Sequence, residues 1–230
     1  MENKKNLFLI PARKGSKQIK NKNIRKLFGK PLISYTLDYV KDIQTSNDIS
    51  CVSTDDKTVI ELANKYSKIN IIKRPKNLAL DDTPMELVIK HAIDFFKRKK
   101  IFFEAIVLLQ PTSPIRQIKD FNNLKRTFNK NIDMVVSVRE SRENPYHLLY
   151  EESQKGFLTK LKEFEFIRRQ DLPKVYCLNG SFFMINVKSI INKSINKFSK
   201  IKKIIMPYSR SIDIDDKIDW KLIKNFLKKQ

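Results

Sequence analysis

Glycine is scarce in this sequence, with four residues in 230. That excludes collagen-like repeats and Gly-rich flexible linkers. Cysteine is scarcer: Cys51 and Cys177 are the two present, too few for a disulfide framework or a thiolate zinc site. They read as buried thiols. No apolar run is long enough to span a bilayer. The first apolar stretch, Leu7-Phe8-Leu9-Ile10, stops at Pro11, short of a signal-peptide core. A cytoplasmic protein with no membrane contact is therefore expected.

Acid is also in short supply. There are 25 Asp and Glu against 47 Lys and Arg, a formal net charge of +22. Residues 1–30 hold net +9 of this and residues 186–230 net +8. Such a balance invites a nucleic-acid reading. Against it, 36 of the basic residues are lysine, in a chain also rich in Ile and Asn. That mixture looks like codon drift, and lysine-rich faces are usually only solvated. No aromatic stacking motif accompanies the charge. A basic nucleic-acid-binding module is the weaker reading, and nucleic acid is not expected as a partner. The field could still steer small acidic substrates. Hydrophobic residues at 41% and charged residues at 31% fit a soluble globular chain. The length supports one sizeable core, and residues 1–230 read as a single domain.

Short apolar runs alternate with amphipathic stretches. The pattern predicts strands over 6–11, 48–53, 70–73, 105–109, 134–138 and 201–206, and a strand pair or bent strand over 175–185. It predicts helices over 32–40, 56–66, 83–98, 118–129, 188–196 and 216–229. Pro31 suits the first turn of its helix. Asp55 or Asp56 caps the next. Thr83, Pro84 and Glu86 read as cap, first position and capping-box acid of the third. Repeated strand–helix units predict an α/β, Rossmann-like, mainly parallel sheet with helices on both faces. The rhythm breaks over 139–172, where charge is dense and Glu143-Asn144-Pro145 signals a turn. Residues 146–151 could be extended there, and the whole stretch reads as a hairpin or arm leaving the sheet.

Ligands of open parallel sheets bind beyond the carboxyl ends of the strands. After the first strand comes Ala12-Arg13-Lys14-Gly15-Ser16-Lys17-Gln18-Ile19-Lys20-Asn21-Lys22-Asn23. It has neither the dinucleotide glycine pattern nor the P-loop pattern. Its charges and backbone N–H groups could hold a polyphosphate, or it is a solvated lysine loop. Ser53-Thr54-Asp55-Asp56 follows the second strand and supplies at least a helix cap. Gln110-Pro111-Thr112-Ser113-Pro114 follows the fourth; its prolines stiffen the loop, and Gln110 offers both a donor and an acceptor. Near the C-terminus, Asp213 and Asp215 fall on one side of an extended segment. Two such carboxylates suit Mg²⁺ that keeps water and phosphate oxygens; alternatively Asp215 or Asp216 caps the last helix. Arg169 could pair with a carboxylate ligand or with Glu163 or Glu165. Phe182-Phe183 reads as core.

These pieces, in this order, resemble the acylneuraminate cytidylyltransferase family, the CMP-sialic acid synthetases and their relatives. The resemblance rests on Ile10-Pro11-Ala12-Arg13-Lys14-Gly15-Ser16-Lys17, Lys20-Asn21-Lys22-Asn23-Ile24, Gly29-Lys30-Pro31-Leu32, Ser53-Thr54-Asp55-Asp56, Leu109-Gln110-Pro111-Thr112-Ser113-Pro114, Arg169-Gln170-Asp171-Leu172-Pro173, Asn179-Gly180 and Asp213-Ile214-Asp215. Together they span roughly residues 7–219.

The resemblance implies a fold of the nucleotide-diphospho-sugar transferase type. It also implies a Mg²⁺-dependent reaction in which CTP and a nine-carbon 2-keto acid sugar give the CMP-sugar and pyrophosphate. It assigns Ala12, Arg13, Ser16, Lys17, Lys22, Asn23 and Arg74 to CTP, with Arg13, Lys17, Asp213 and Asp215 as the catalytic group. Asp213 and Asp215 are the metal pair. Gln110, His147, Arg169 and Asn179 fall at acceptor-sugar positions. In relatives the segment before the Arg-Gln motif forms an arm that crosses to a partner subunit, so the resemblance implies a homodimer through 139–172. Gln18 stands where the family usually carries Gly, and Phe182-Phe183 replaces a small-aliphatic and Tyr pairing. The alternative acceptor is the eight-carbon keto acid of lipopolysaccharide cores, whose enzymes differ after the Pro-Ala-Arg start.

Overall fold

The computed structural model describes residues 2–165 and 168–228, with the backbone alone for Glu2, Asn3, Lys4 and Arg169. In chain order the elements are β1 (Glu2–Pro11), β2 (Lys26–Leu27), β3 (Lys30–Pro31), α1 (Leu32–Ile43), β4 (Ile49–Thr54), α2 (Lys57–Ala63), β5 (Ile69–Lys73), α3 (Met85–Arg98) and β6 (Ile101–Leu108). There follow α4 (Ile118–Thr127), β7 (Met134–Glu140), β8 (Tyr150–Glu152), β9 (Leu158–Lys160), β10 (Tyr176–Asn186), α5 (Val187–Asn192), β11 (Ile201–Ile205) and α6 (Lys217–Leu227).

Seven strands form one sheet in the order β11-β7-β10-β6-β1-β4-β5. β1 runs parallel to β4 and β6, β4 to β5, and β11 to β7. β10 alone runs antiparallel, to both β6 and β7. The apolar run of β1 explains its central place. Leu7 and Leu9 enter one core cluster, Phe8 and Ile10 the other, and all four are fully buried. Side chains of a strand alternate between faces, so a strand covered on both sides must be apolar throughout. α1, α2 and α4 pack on one face through residues such as Leu37, Val59 and Phe121. α3 and α5 pack on the other through Ile89, Phe96 and Ile190. A third cluster joins Ile19, Leu27, Leu32, Ile115, Ile212, Ile214, Trp220 and Ile223, and so ties α6 to the loops at the carboxyl edge. Among the described residues, no helix is long and apolar enough to cross a membrane.

Several local expectations change. α3 starts at Met85 with Pro84 at the N-cap and no side-chain cap, so the capping box on Thr83 and Glu86 is absent. Glu86 instead accepts from Lys90 Nζ at 2.7 Å and from the Ile195 N–H at 3.0 Å. The segment 175–185 is one strand, bent by a register shift between Leu178 and Phe183. The 146–151 strand shrinks to β8, paired antiparallel with β9 in a separate two-stranded sheet. The small β2–β3 hairpin carries no alternating pattern; it turns on Phe28 and Gly29, both at positive φ, as tight hairpin turns favour. Cys51 is buried as expected, whereas Cys177 is only half-buried.

Candidate active site

β1 lies where the strand order reverses: β4 and β5 continue to one side and β6 to the other. The carboxyl ends of strands at such a point leave a crevice. Here it is a cleft of about 650 Å³. Its lining brings together Arg13, Ser16, Lys17, Lys22, Asn23, Arg74, Gln110, Asp213 and Asp215, with Gln18, Asp81 and Thr112 beside them.

The basic wall is the loop after β1. Ala12 lies beneath it, fully buried. Its N–H donates to the Ser53 carbonyl at 2.9 Å, and its carbonyl accepts from Thr54 Oγ1. Asp55 accepts from the Lys14 N–H at 2.7 Å, and Asp56 caps α2 through the Thr58 N–H at 2.9 Å. The Ser-Thr-Asp-Asp stretch is thus a brace for the loop as well as a cap. Asn23 Nδ2 donates to the Arg13 carbonyl at 3.1 Å, and Gly15 turns the chain at φ 76°, where side chains are disfavoured. Beyond these anchors the Lys17 side chain is 79% exposed, whereas the Arg13 guanidinium folds back to donate to the Gly15 carbonyl at 2.5 Å. Arg13 and Lys17 both reach Asp81, Lys17 at 2.8 Å. Arg74 is the fixed cation: it is buried and donates to the Ser53 hydroxyl at 3.1 Å and carbonyl at 2.8 Å. Burial pushes its guanidinium down to about 10, so it stays charged at neutral pH.

The acidic wall is stitched from inside. The Arg116 guanidinium is buried and donates to the carbonyls of Ser181 at 3.0 Å and Gln110 at 2.7 Å, and to Thr36 Oγ1 at 3.1 Å. It also lies 5.5 Å from the Phe182 ring centroid. Burial lowers its pKa to about 10. Gly180 sits at φ 69°, and a Cβ there would lie 2.5 Å from Asp213 Oδ2 and 3.0 Å from Gln110 Oε1. Only glycine lets β10 pass so close beneath the carboxylate. Ser113 Oγ donates to Asp213 Oδ1 at 3.2 Å. Burial pushes the Asp213 carboxyl up, with the Thr112 and Ser113 hydroxyls opposing.

Ile212 and Ile214 point into the third core cluster, and the Ile214 N–H donates to the Thr112 carbonyl at 2.8 Å. Alternation therefore turns Asp213 and Asp215 to the cleft. Asp216, not Asp215, caps α6, accepting from Ile218 and Asp219 N–H groups at 2.7 and 2.9 Å. Asp215 stays exposed, with Lys22 Nζ 3.4 Å away; Lys22 also donates to the Ile214 carbonyl at 2.6 Å.

Asp213 and Asp215 could hold a divalent cation. Among the described residues no group of three or more His, Cys, Asp or Glu could do so. A two-carboxylate site fits an ion that takes its remaining oxygens from water and phosphate.

Two acceptor positions do not line the cleft, and a third is not described. Asn179 is buried: its Oδ1 accepts from Ser137 Oγ at 2.5 Å and its Nδ2 donates to Ser211 Oγ at 2.9 Å. Its amide is spent on joining β10 to β7 and to the acidic segment. His147 is exposed on the 139–172 stretch and does not line the cleft. The Arg169 side chain lies outside the described residues. Conversely, Asp81, Thr112, Arg116 and Gly180 were not singled out as site residues from the sequence. Thr112 and Gly180 lie inside motifs the sequence displays, and Asp81 opens the run Asp81-Asp82-Thr83-Pro84, which resembles a helix start.

The fold agrees with that of solved nucleotidyltransferases. A CMP-2-keto-3-deoxy-manno-octonic acid synthetase complexed with CTP superposes with a TM-score of 0.66 over 98% of this chain and 99% of that one, at 14% identity. A 4-diphosphocytidyl-2C-methyl-D-erythritol synthase from Anaerococcus prevotii gives 0.62 over 98% and 96%, also at 14% identity. In sequence, the chain is 34% identical to a CMP-N,N'-diacetyllegionaminic acid synthase of Legionella pneumophila, over 96% of this chain and 95% of that one. It is 28% identical to a pseudaminic acid cytidylyltransferase of Campylobacter jejuni over 92% and 91%. It is 30% identical to an N-acylneuraminate cytidylyltransferase of Escherichia coli over 93% of this chain and 50% of the longer relative. The family model for cytidylyltransferases matches residues 7–210, and the chain belongs to that family.

Proposed function

We propose that this protein transfers CMP from CTP to the anomeric hydroxyl of a nine-carbon 2-keto acid sugar of the sialic, legionaminic or pseudaminic type. The hydroxyl oxygen bonds to the α-phosphorus, the bond from the α-phosphorus to the bridging oxygen breaks, and pyrophosphate leaves while the hydroxyl loses its proton. The observation that carries this reading is the cleft itself, with Arg13, Ser16 and Lys17 on one wall and Asp213 and Asp215 on the other. Phosphoryl transfer needs positioning and charge neutralisation more than covalent help.

Arg13 and Lys17 offset charge on the α-phosphate and the leaving pyrophosphate, and Ser16 adds a hydroxyl donor. Lys22 and Asn23 hold the phosphates or ribose from the floor, and Arg74 faces the base. Gln110, fixed by the Arg116 staple, contacts the acceptor. Asp213 and Asp215 would hold Mg²⁺, which when bound neutralises phosphate charge. Asn179 acts indirectly, by holding Gly180 and the acidic segment in place. On this reading the enzyme acts in the cytoplasm, beside its nucleotide pool.

The 139–172 stretch supports a homodimer. Phe157 and Leu158 are 70% exposed, and Leu148, Leu149, Tyr150, Leu161 and Phe164 are exposed with them. An isolated two-stranded hairpin is marginal alone, and so large an apolar strip calls for cover. A second copy of the chain is that cover, with Arg169 and His147 serving the neighbouring cleft. Phe157→Asp with Leu158→Asp should shift the chain from dimer to monomer in sedimentation; a monomeric wild type would refute the arrangement.

The reaction is tested by pyrophosphate release with CTP and Mg²⁺ across N-acetylneuraminate, legionaminate, pseudaminate and the eight-carbon keto acid. Release with one nine-carbon acid is expected. Release with the eight-carbon acid alone would overturn the substrate class.

A further inference from the structure

Asp81 lies between β5 and α3 and faces the loop after β1 across the cleft. Its two oxygens are taken by two different cations: Oδ1 by the Arg13 guanidinium and Oδ2 by Lys17 Nζ at 2.8 Å. All three residues line the same cleft. Among the described residues this carboxylate has no other hydrogen-bond or ion-pair partner, in contrast to Asp55 and Asp56, which brace the loop and cap α2. Nor does Asp81 serve α3, whose N-cap is Pro84. The pair sits at the cleft mouth, with the Asp81 side chain 36% exposed. Ion pairs this exposed are weak and easily exchanged.

We propose that Asp81 is an internal competitor for the nucleotide's phosphates, occupying Arg13 and Lys17 until a polyphosphate displaces it. The proposal rests on reading the cleft as a CTP site. A polyphosphate carries more charge than one carboxylate and wins the exchange. Each ligand that needs these two cations loses affinity by the same factor. CTP bears that loss from a higher starting affinity, supplied by base and ribose contacts, whereas pyrophosphate has none to draw on. The carboxylate thus favours discharge of the product over its retention, and sets how strongly pyrophosphate inhibits.

The test is calorimetric titration of the full chain with CTP plus Mg²⁺ and, separately, with pyrophosphate plus Mg²⁺. Asp81→Asn keeps the shape and removes the charge. It should bind both ligands about threefold to tenfold tighter, lower the KM for CTP, and deepen pyrophosphate inhibition by the same factor without raising kcat. Asp82→Asn should change neither affinity. Unchanged or weaker binding of both ligands by Asp81→Asn, at wild-type melting temperature, would overturn the proposal and make Asp81 a positioning group for Arg13 and Lys17. If Asp81→Asn melts early, Asp81→Ser decides: tighter binding of both ligands supports competition, and unchanged or weaker binding contradicts it. A wild type that binds no CTP would instead overturn the functional reading beneath it.

Discussion

The two walls of the cleft are built by opposite means. The acidic wall is held from below by buried polar groups: Arg116 ties the loop after β6 to β10 and α1, Asn179 ties β10 to β7, and Gly180 leaves room for Asp213. The basic wall is anchored at its base by Thr54 and Asp55 and holds Arg74 fixed on Ser53, but Lys17 stands in solvent and on Asp81, and Arg13 divides its guanidinium between Gly15 and Asp81. A cation site needs two carboxylates at fixed separation, because misplaced oxygens coordinate poorly. A polyphosphate carries charge along its length and can be followed by mobile lysines. Rigidity is spent where geometry is demanding.

Breaking the acidic wall should cost most. Asp215→Ala removes an exposed carboxylate with little structural work, so Mg²⁺-supported turnover should vanish while the melting temperature stays near wild type. Full activity in that variant would remove Asp215 from the metal pair. Gly180→Ala places a Cβ against Asp213 and forces a positive φ on alanine. About a hundredfold loss of turnover is expected from displacing the carboxylate, with a lower melting temperature; steady-state rates and a melt on one preparation check both.

On the basic wall, Lys17→Ala should reduce turnover about tenfold and leave the melting temperature unchanged. A large stability loss with normal turnover would make the lysine structural. The smallest effect separates stability from function at Asp213. Burial raises its carboxyl above the ordinary aspartate value, so its contribution to stability is present below the unfolded-state pKa and lost as pH rises through the folded one. Asp213→Asn should therefore raise the melting temperature of the metal-free protein at neutral pH, and that advantage should shrink in acid. A lower melting temperature at pH 7 would mean that the ionised carboxylate is a net stabiliser.

The core was legible in sequence because a sheet covered on both faces needs unbroken apolar runs, as in Leu7–Ile10. Arg13, Lys17, Gln110 and the acidic pair follow those runs, and the family resemblance, rather than the loop pattern alone, singled them out; the fold brings them to one cleft. What was not legible depends on distant partners. Glu86 looks like a capping-box acid until Ile195, far along the chain, supplies its donor. Asn179 looks like a ligand contact until Ser137 and Ser211 consume its amide. Asp81 and Gly180 acquire meaning only when the chain folds Arg13, Lys17 and Asp213 against them. The direction of β10 was equally hidden, since local pattern does not distinguish a parallel strand from an antiparallel one.

The most direct test is a crystal structure grown with CTP and Mn²⁺, read by anomalous diffraction. The triphosphate should lie between Arg13, Lys17 and the acidic wall, with an anomalous peak against Asp213 and Asp215 and the Asp81 carboxylate released from both cations. Nucleotide bound elsewhere, or bound in the cleft with its metal away from both aspartates, would contradict the account.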